Sequence, residues 1–403
     1  MTEAKPHASV FVLVTIFIDA MGFGLIMPVL PQLLMEVGRF DLSSAIEIGA
    51  WMGFAMALAM FFAAPVLGNL SDAYGRRPVL LASLGCLALD QLLLAVAHSL
   101  PLVFLARTMA GAFGGSYASA QAAMSDLTPP ESRARAFGFV SAAFGVGFVL
   151  GPVLGGLLGT FGPRAPFYAA AALCFLNLLY GYFVFPETLA PERRRPFTLS
   201  RANPLGALRV ARRTSGMTAI LMVLTLWQIA SLVYPLTWSF WAIAQLNWSP
   251  QMIGASLAGV GLVIALSQTL LTGPLVKRLG ERDAATLGLL FAIGGFVAYA
   301  FVQVTWLAFA TMVFIALQSL VQPSLMALLS RKATADAQGE VQGISSMATG
   351  IGSLVAPLAL TGTMAHFTSP NAPVHFPGAA FLVAAGFGLA ALVLLRRLPQ
   401  SAG

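Results

Sequence analysis

The stretch FIDAMGFGLIMPVLP, residues 17–31, holds one ionisable side chain, Asp19, among residues that are otherwise apolar, Gly or Pro. A carboxylate at the centre of a bilayer costs about 2.5–3.5 kcal/mol on insertion scales and normally faces a cavity or a partner. Whether this run crosses a membrane therefore decides both the fold and the meaning of Asp19. Composition answers the first part. The chain has 403 residues, 58% hydrophobic and 9% charged, whereas soluble domains carry about 25% charged residues. Apolar runs long enough to cross a hydrocarbon core of roughly 30 Å recur along the whole length. The chain reads as an all-α polytopic membrane protein. Its first span begins near Ala8 after a short polar tail, lacks a small-residue cleavage site and runs on into further spans, so it reads as a retained helix and not a signal peptide. Cys86 and Cys174 lie in apolar runs and read as small buried hydrophobes. They are too few to define a disulfide framework or a metal site.

The apolar pattern predicts twelve transmembrane helices, over 8–34, 46–67, 78–97, 101–124, 134–160, 165–185, 216–244, 250–274, 284–302, 305–329, 340–365 and 377–396. With both termini inside, the inner connections hold 19 of the 22 Lys and Arg residues. They include Lys5, Arg76, Arg77, Arg133, Arg135, Arg193–Arg195, Arg201, Arg209, Arg212, Arg213, Lys277, Arg278, Arg282, Arg331, Lys332, Arg396 and Arg397. Only Arg39 and Arg164 fall outside, and Arg107 lies within a span. This bias follows the positive-inside rule and predicts a plasma membrane protein, the inner membrane in a bacterium. It also accounts for the net charge of +7 as loops facing anionic lipid. No stacking or groove-reading module accompanies it, so no nucleic-acid partner is expected. The longest connection, PETLAPERRRPFTLSRANPLGALRVARRTSG, is polar, basic and Pro-rich. It separates a six-helix half over 1–186 from a second over 216–403, with 187–215 as the inner linker.

An internal repeat supports that division. Gly68 and Gly75 in GNLSDAYG answer Gly273 and Gly280 in GPLVKRLG; Gly138 answers Gly343; Gly147 and Pro152 answer Gly352 and Pro357. All five pairs share one offset, so the halves read as parallel six-helix repeats. Such repeats are typical of transporters, with the substrate site near the midplane where the repeats meet.

These residues carry a resemblance. GNLSDAYGRRP (68–78) is similar to the cytoplasmic loop signature of the major facilitator superfamily. RTMAGAFGG (107–115) and GVGFVLGPVLGG (145–156) resemble the fourth- and fifth-helix signatures of its drug:proton antiporters. DAMGFGLIMPVLP (19–31), GRRPVLLASLGCLALD (75–90) and GEVQG (339–343) resemble the tetracycline-efflux branch. The similarity runs through nearly the whole chain. It implies the major facilitator fold and alternating access. It also implies a gating role for the loop glycines Gly68 and Gly75 and the charges Asp72, Arg76 and Arg77, with Asp126 as their partner. In the fifth-helix signature, Gly147, Gly151 and Gly155 recur every four residues. Such a small face allows close helix approach, and Pro152 allows a bend. The resemblance implies that this motif favours antiport over symport. The second copy of the loop has Lys277 where the first has Asp72, and it is expected to be more structural than latch-like.

Three charges lie deep in the spans: Asp19, Asp90 and Arg107. At 1.5 Å of rise per residue, Asp90 and Arg107 reach matching depths on a helical hairpin, with Asp19 in nearly the same layer. Desolvation raises a carboxylate's pKa and a nearby arginine lowers it. Two carboxylates sharing one arginine are thus suited to hold and lose a proton, so all three are candidate proton-coupling residues, with Asp19 also a substrate ligand. The C-terminal half has no charge inside its spans; Asp90 maps to Gly295 and Arg107 to Met312. That half offers aromatics and amides for an amphiphilic substrate: Trp227, Gln228, Tyr234, Trp238, Trp241, Gln318 and Gln322, with Gln268 and Tyr299 as further candidates. Two departures set the chain apart from the tetracycline branch. The ninth helix has Ala292 where that branch carries an acid, and the second helix, AWMGFAMALAMFF, lacks the expected polar residues.

The sequence therefore points to a secondary active transporter exporting amphiphilic small molecules in exchange for protons. A proton-coupled uptake symporter or uniporter for a siderophore, peptide or lipid-like solute is the alternative, and a non-transporting receptor a remote one. No Walker loop, nucleophile elbow or zinc helix occurs, so neither an enzyme nor a cofactor or metal is expected. The expected partners are substrate, protons and the bilayer, with the chain acting as a monomer.

Overall fold

The computed structural model describes residues 6–114, 116–198, 217–331 and 338–398. Of the linker read over 187–215, only 187–198 falls within it; Lys5, Gly115, Arg201, Arg209, Arg212, Arg213 and Lys332 lie outside the described residues. The described residues form helices and connections, without a strand among them. In chain order the helices are α1 (Pro6–Ile26), α2 (Leu30–Gly38), α3 (Leu42–Tyr74), α4 (Arg76–Val96), α5 (Leu100–Phe113), α6 (Ser116–Leu127), α7 (Arg133–Leu158) and α8 (Ala165–Val184). Then come α9 (Met217–Ser231), α10 (Val233–Leu246), α11 (Pro250–Ser267), α12 (Gly273–Phe301), α13 (Thr305–Thr311), α14 (Val313–Gln318), α15 (Val321–Arg331), α16 (Gln338–Ala356), α17 (Gly362–Thr368) and α18 (Ala379–Arg397). Ten helical stretches among the described residues are long and apolar enough to cross a membrane.

Several spans expected to be single helices are broken, and chain chemistry explains most breaks. The first divides at residues 27–29, between α1 and α2. Pro31 lacks the N–H that the Met27 carbonyl would accept, and the Pro28 ring crowds the preceding turn. Pro235 and Pro323 act likewise just after the breaks at Leu232 and at 319–320. Pro357 opens a π-helical turn over Pro357–Thr361, and Pro274 follows another over Gln268–Thr272. The expected fourth span ends as α5 at Gly114 and resumes as α6. The expected eighth and ninth spans run on as one 52-residue stretch, Pro250–Phe301, interrupted at Gly280 by a non-helical φ of 76°.

The described chain gathers into two compact units. Among the described residues, one holds those within 6–40, 55–198 and 248–258; the other holds those within 41–54, 217–247, 259–331 and 338–398. In the first unit α1 packs against α7 and α8, and α4 packs against α8 and α5. The second repeats the scheme: α9 packs against α16 and α18, and α12 against α18. Lipid tails are as apolar as leucine, so helices in a bilayer gain little from apolar burial alone and associate through close packing instead. The α1–α7 seam shows how. A Cβ added at Gly147, Gly151 or Gly155 would run into the carbonyl oxygens of Phe17, Met21 and Leu25 in turn. Only glycine permits that approach, and it brings Cα–H groups to the carbonyls as weak donors. Below the seam, Phe11, Val12, Ile16, Leu80, Leu84 and Phe185 form a buried cluster that fixes α1 against α4 and the end of α8.

Candidate functional site

In the first unit the hairpin of α4 and α5 joins Asp90 to Arg107. Arg107 Nη2 donates to Asp90 Oδ2, and Gln91 Nε2 donates to the same oxygen at 3.0 Å. Asp90 is fully buried and Arg107 nearly so. Asp90 Oδ1, Arg107 Nε and Gln91 Oε1 have no hydrogen-bond partner in the structure. Buried polar atoms are normally satisfied, so this pair keeps one carboxylate oxygen open, where a proton can sit.

Asp19 is half-buried on α1, one turn beyond Thr15 on the same helical face. Thr15 and Asn177 of α8 are both buried and hydrogen-bonded: Thr15 Oγ1 donates to Asn177 Oδ1 at 3.4 Å, and Asn177 Nδ2 donates back at 3.2 Å. Cys174, one turn before Asn177, is buried. Helix α8 thus brings Asn177 to the buried hydroxyl one turn below Asp19. Nearer the start of α1, an apolar groove of about 380 Å³ opens between Leu13, Val14 and Phe17 and the α7 residues Phe139, Ala142, Ala143 and Val146.

The α3–α4 loop builds a second constellation. Arg76 Nη1 lies 2.6 Å from Asp72 Oδ1, and Arg76 Nε lies 3.2 Å from Asp126 Oδ2; Nη1 also donates to Ser71 Oγ at 3.2 Å. Arg77 stands apart from the cluster, donating to the Tyr182 carbonyl at 2.6 Å. Gly75 holds φ at 110°, a conformation nearly closed to other residues, while a Cβ added at Gly68 would meet nothing. Beside them is a residue that sequence reasoning passed over. Glu187 accepts hydrogen bonds from the backbone N–H of Arg76, Arg77, Thr188 and Leu189. The second copy of the loop is wired differently. Glu281 pairs with Arg331 at 2.6 Å, and Arg282 donates to the Arg396 carbonyl at 2.7 Å.

In the second unit the aromatic candidates are packed inward. Trp227, Trp238 and Trp241 are buried; Trp238 stands 5.2 Å from Trp241 and 5.1 Å from Tyr299, ring centre to ring centre. Tyr234 joins the same cluster, 5.9 Å from Tyr299, with its hydroxyl 3.4 Å from Gln318 Oε1. Gln318 is buried, Gln228 is half-buried and donates to Ser353 Oγ at 3.3 Å, and Gln322 is exposed. Gln268 is exposed in its π-helical turn. Ala292 is fully buried. Gly295, the counterpart of Asp90, faces Phe314, and Met312, the counterpart of Arg107, is buried.

Sequence reasoning missed Gln91, Thr15, Asn177, Ser353 and Glu187. The lone amide in LCFLNLLYG and the carboxylate just past the sixth span were signals it did not use.

The chain is 41% identical over 394 residues to a protein named tetracycline resistance protein, class C, from Escherichia coli, covering 97% of each. It is 36% identical to the class G tetracycline resistance protein of Vibrio anguillarum, over 88% of this chain and 89% of that one. Among solved structures, the nucleoside transporter NupG superposes with a TM-score of 0.77 at 15% identity, over 98% of this chain and 99% of the other. That similarity speaks to the fold. A model of the Major Facilitator Superfamily matches residues 12–357 and again 229–402. With paired helical units, matching loops and this coverage, the chain belongs to the major facilitator superfamily.

Proposed function

We propose that the protein exports amphiphilic small molecules across a bacterial inner membrane in exchange for protons. Both termini lie in the cytoplasm, and the two halves, 1–186 and 216–403, joined through 187–215, give alternating access. The observation that carries this reading is the buried Asp90–Arg107 pair with its open carboxylate oxygen. Such a pair is costly inside a membrane and is retained where it does work. The kinship with tetracycline resistance proteins supports export as the direction and tetracycline as the first substrate to test.

Asp90 is the principal protonation site and Arg107 tunes it. Asp19 engages a cationic or polar part of the substrate. The α1–α7 groove offers apolar surface within the first unit; within the second, Gln228 and Gln322 are the amide candidates left by the burial of the rings. The burial of Trp227, Trp238 and Trp241 favours a packing role for those rings. The loop charges Asp72, Arg76 and Asp126 gate the cytoplasmic side. In everted membrane vesicles energised by respiration, added tetracycline should release protons from the lumen in exchange for drug. Drug movement indifferent to the proton gradient would sink the antiport reading. Drug movement requiring an opposite gradient would favour uptake.

A further inference from the structure

We propose that Glu187 is a positioning residue for the ion cluster of Asp72, Arg76 and Asp126; the proposal rests on the gating role assigned to that cluster. Glu187 lies three residues past the end of α8. Its Oε1 accepts from the N–H groups of Arg76 at 2.8 Å, Thr188 at 3.0 Å and Leu189 at 2.9 Å, and its Oε2 from that of Arg77 at 3.3 Å. Arg76 and Arg77 open α4, whose first N–H groups have no partner within the helix. A carboxylate is the natural complement to that positive end. Gly75 completes the seat: its φ of 110° turns the chain, and a Cβ there would overlap Glu187 Oε2.

The chain on either side of Glu187 is fastened to the same loop. Upstream, the Arg77 guanidinium donates to the Tyr182 carbonyl at 2.6 Å and lies 5.8 Å from the Tyr182 ring centre. Downstream, Arg195 N–H donates to the Asp72 carbonyl at 3.1 Å, and Asn69 Nδ2 donates to the Thr198 carbonyl at 2.6 Å. Residues 182–198 therefore grip both the end of α3 and the start of α4. Arg76 is held by its backbone at Glu187 and reaches with its side chain to Asp72 and Asp126. Exposed ion pairs alone hold a side chain weakly. The backbone clamp fixes where Arg76 starts, and so whether it can span both acids. Movement of the chain leaving α8 is transmitted through Glu187 to the gate.

The test uses the full-length protein in proteoliposomes, with tetracycline as the transport probe and a substrate-free labelling probe beside it. Glu187→Gln should lower kcat about tenfold with KM unchanged, while the melting temperature falls modestly because hydrogen bonds to a charged acceptor are weakened. Glu187→Asp should recover part of the loss. The Glu187→Gln, Asp72→Asn double variant should be no slower than the slower single one, because both act through one cluster. For labelling, Ser71→Cys is placed in a background lacking Cys86 and Cys174. Ser71 is buried under Arg76, so an impermeant maleimide should react faster once Glu187→Gln frees Arg76. Additive losses or an unchanged labelling rate would overturn the proposal. Wild-type turnover in Asp72→Asn would instead overturn the gating reading itself.

Discussion

At the scale of single residues the structure separates charges that were legible in the sequence from polar residues that were not. Asp19, Asp90 and Arg107 stand out because a charge in an apolar run costs several kcal/mol and is conspicuous. Gln91, Thr15 and Asn177 are uncharged and cheap enough to pass as ordinary variation, yet they complete the polar surroundings of the carboxylates. Asp90→Asn should abolish the pH dependence of transport, since an amide cannot titrate, whereas Asp19→Asn should mainly raise KM and leave coupling measurable. Transport rates recorded against pH for the two variants decide between them. A wild-type pH profile in Asp90→Asn would move the proton to Asp19. Outside the spans, Asp41 caps α3, accepting from Ser43 Oγ at 2.7 Å and from Ser44 N–H at 3.1 Å. The Ser43 bond, followed by those from Ser44, holds its carboxyl below the ordinary carboxylate value. A depressed folded-state value contributes stability above the ordinary pKa that is lost as pH falls through the folded one. Acid should therefore loosen the start of α3.

At the scale of helices, the apolar runs marked where spans lie but not where they break. Hydropathy is summed over about 19 residues, a window in which one proline disappears; the break follows from a single absent N–H. Pro31, Pro235, Pro323 and Pro357 were all readable as local signals and lost in the average. Residue type alone also says little about which glycines matter. Gly151 and Gly138 are both in α7, but a Cβ at Gly151 would meet the Met21 carbonyl while one at Gly138 would meet nothing. Gly151→Ala should destabilise the protein by about 1–3 kcal/mol through overpacking. Gly138→Ala should be neutral or stabilise by up to about 1 kcal/mol through helix propensity. Thermal unfolding in detergent compares them, and equal shifts would contradict the seam geometry.

At the scale of the whole molecule, the repeat was legible because a shared offset needs no tertiary knowledge. The structure adds that Gly75 and Gly280 share not only position but backbone conformation, with φ of 110° and 76°. Not legible was which segments cohere: residues 41–54 and 248–258 each gather with the opposite half of the sequence, a matter of contacts that hydropathy does not encode. The two loops keep one turn and carry different chemistry. Asp72 belongs to an ion cluster, and Lys277 is exposed. A single exposed charge is worth about 0–1 kcal/mol, so Lys277→Gln should leave transport near wild type. Asp72→Asn should slow it severalfold at normal expression. Equal effects on drug accumulation in cells would show that the halves share the gating task.

The Asp90–Arg107 pair also has a consequence during synthesis. The ribosome delivers the carboxylate seventeen residues before its arginine, with only residues 97–99 between the two helices. Handed to the translocon alone, α4 carries an uncompensated charge worth about 2.5–3.5 kcal/mol against insertion. Delivered together with α5, it enters with that buried charge paired. Nascent chains truncated before Arg107 should therefore leave α4 outside the bilayer more often than chains that include it. Glycosylation mapping of stalled intermediates would show the step, and Arg107→Ala should erase it.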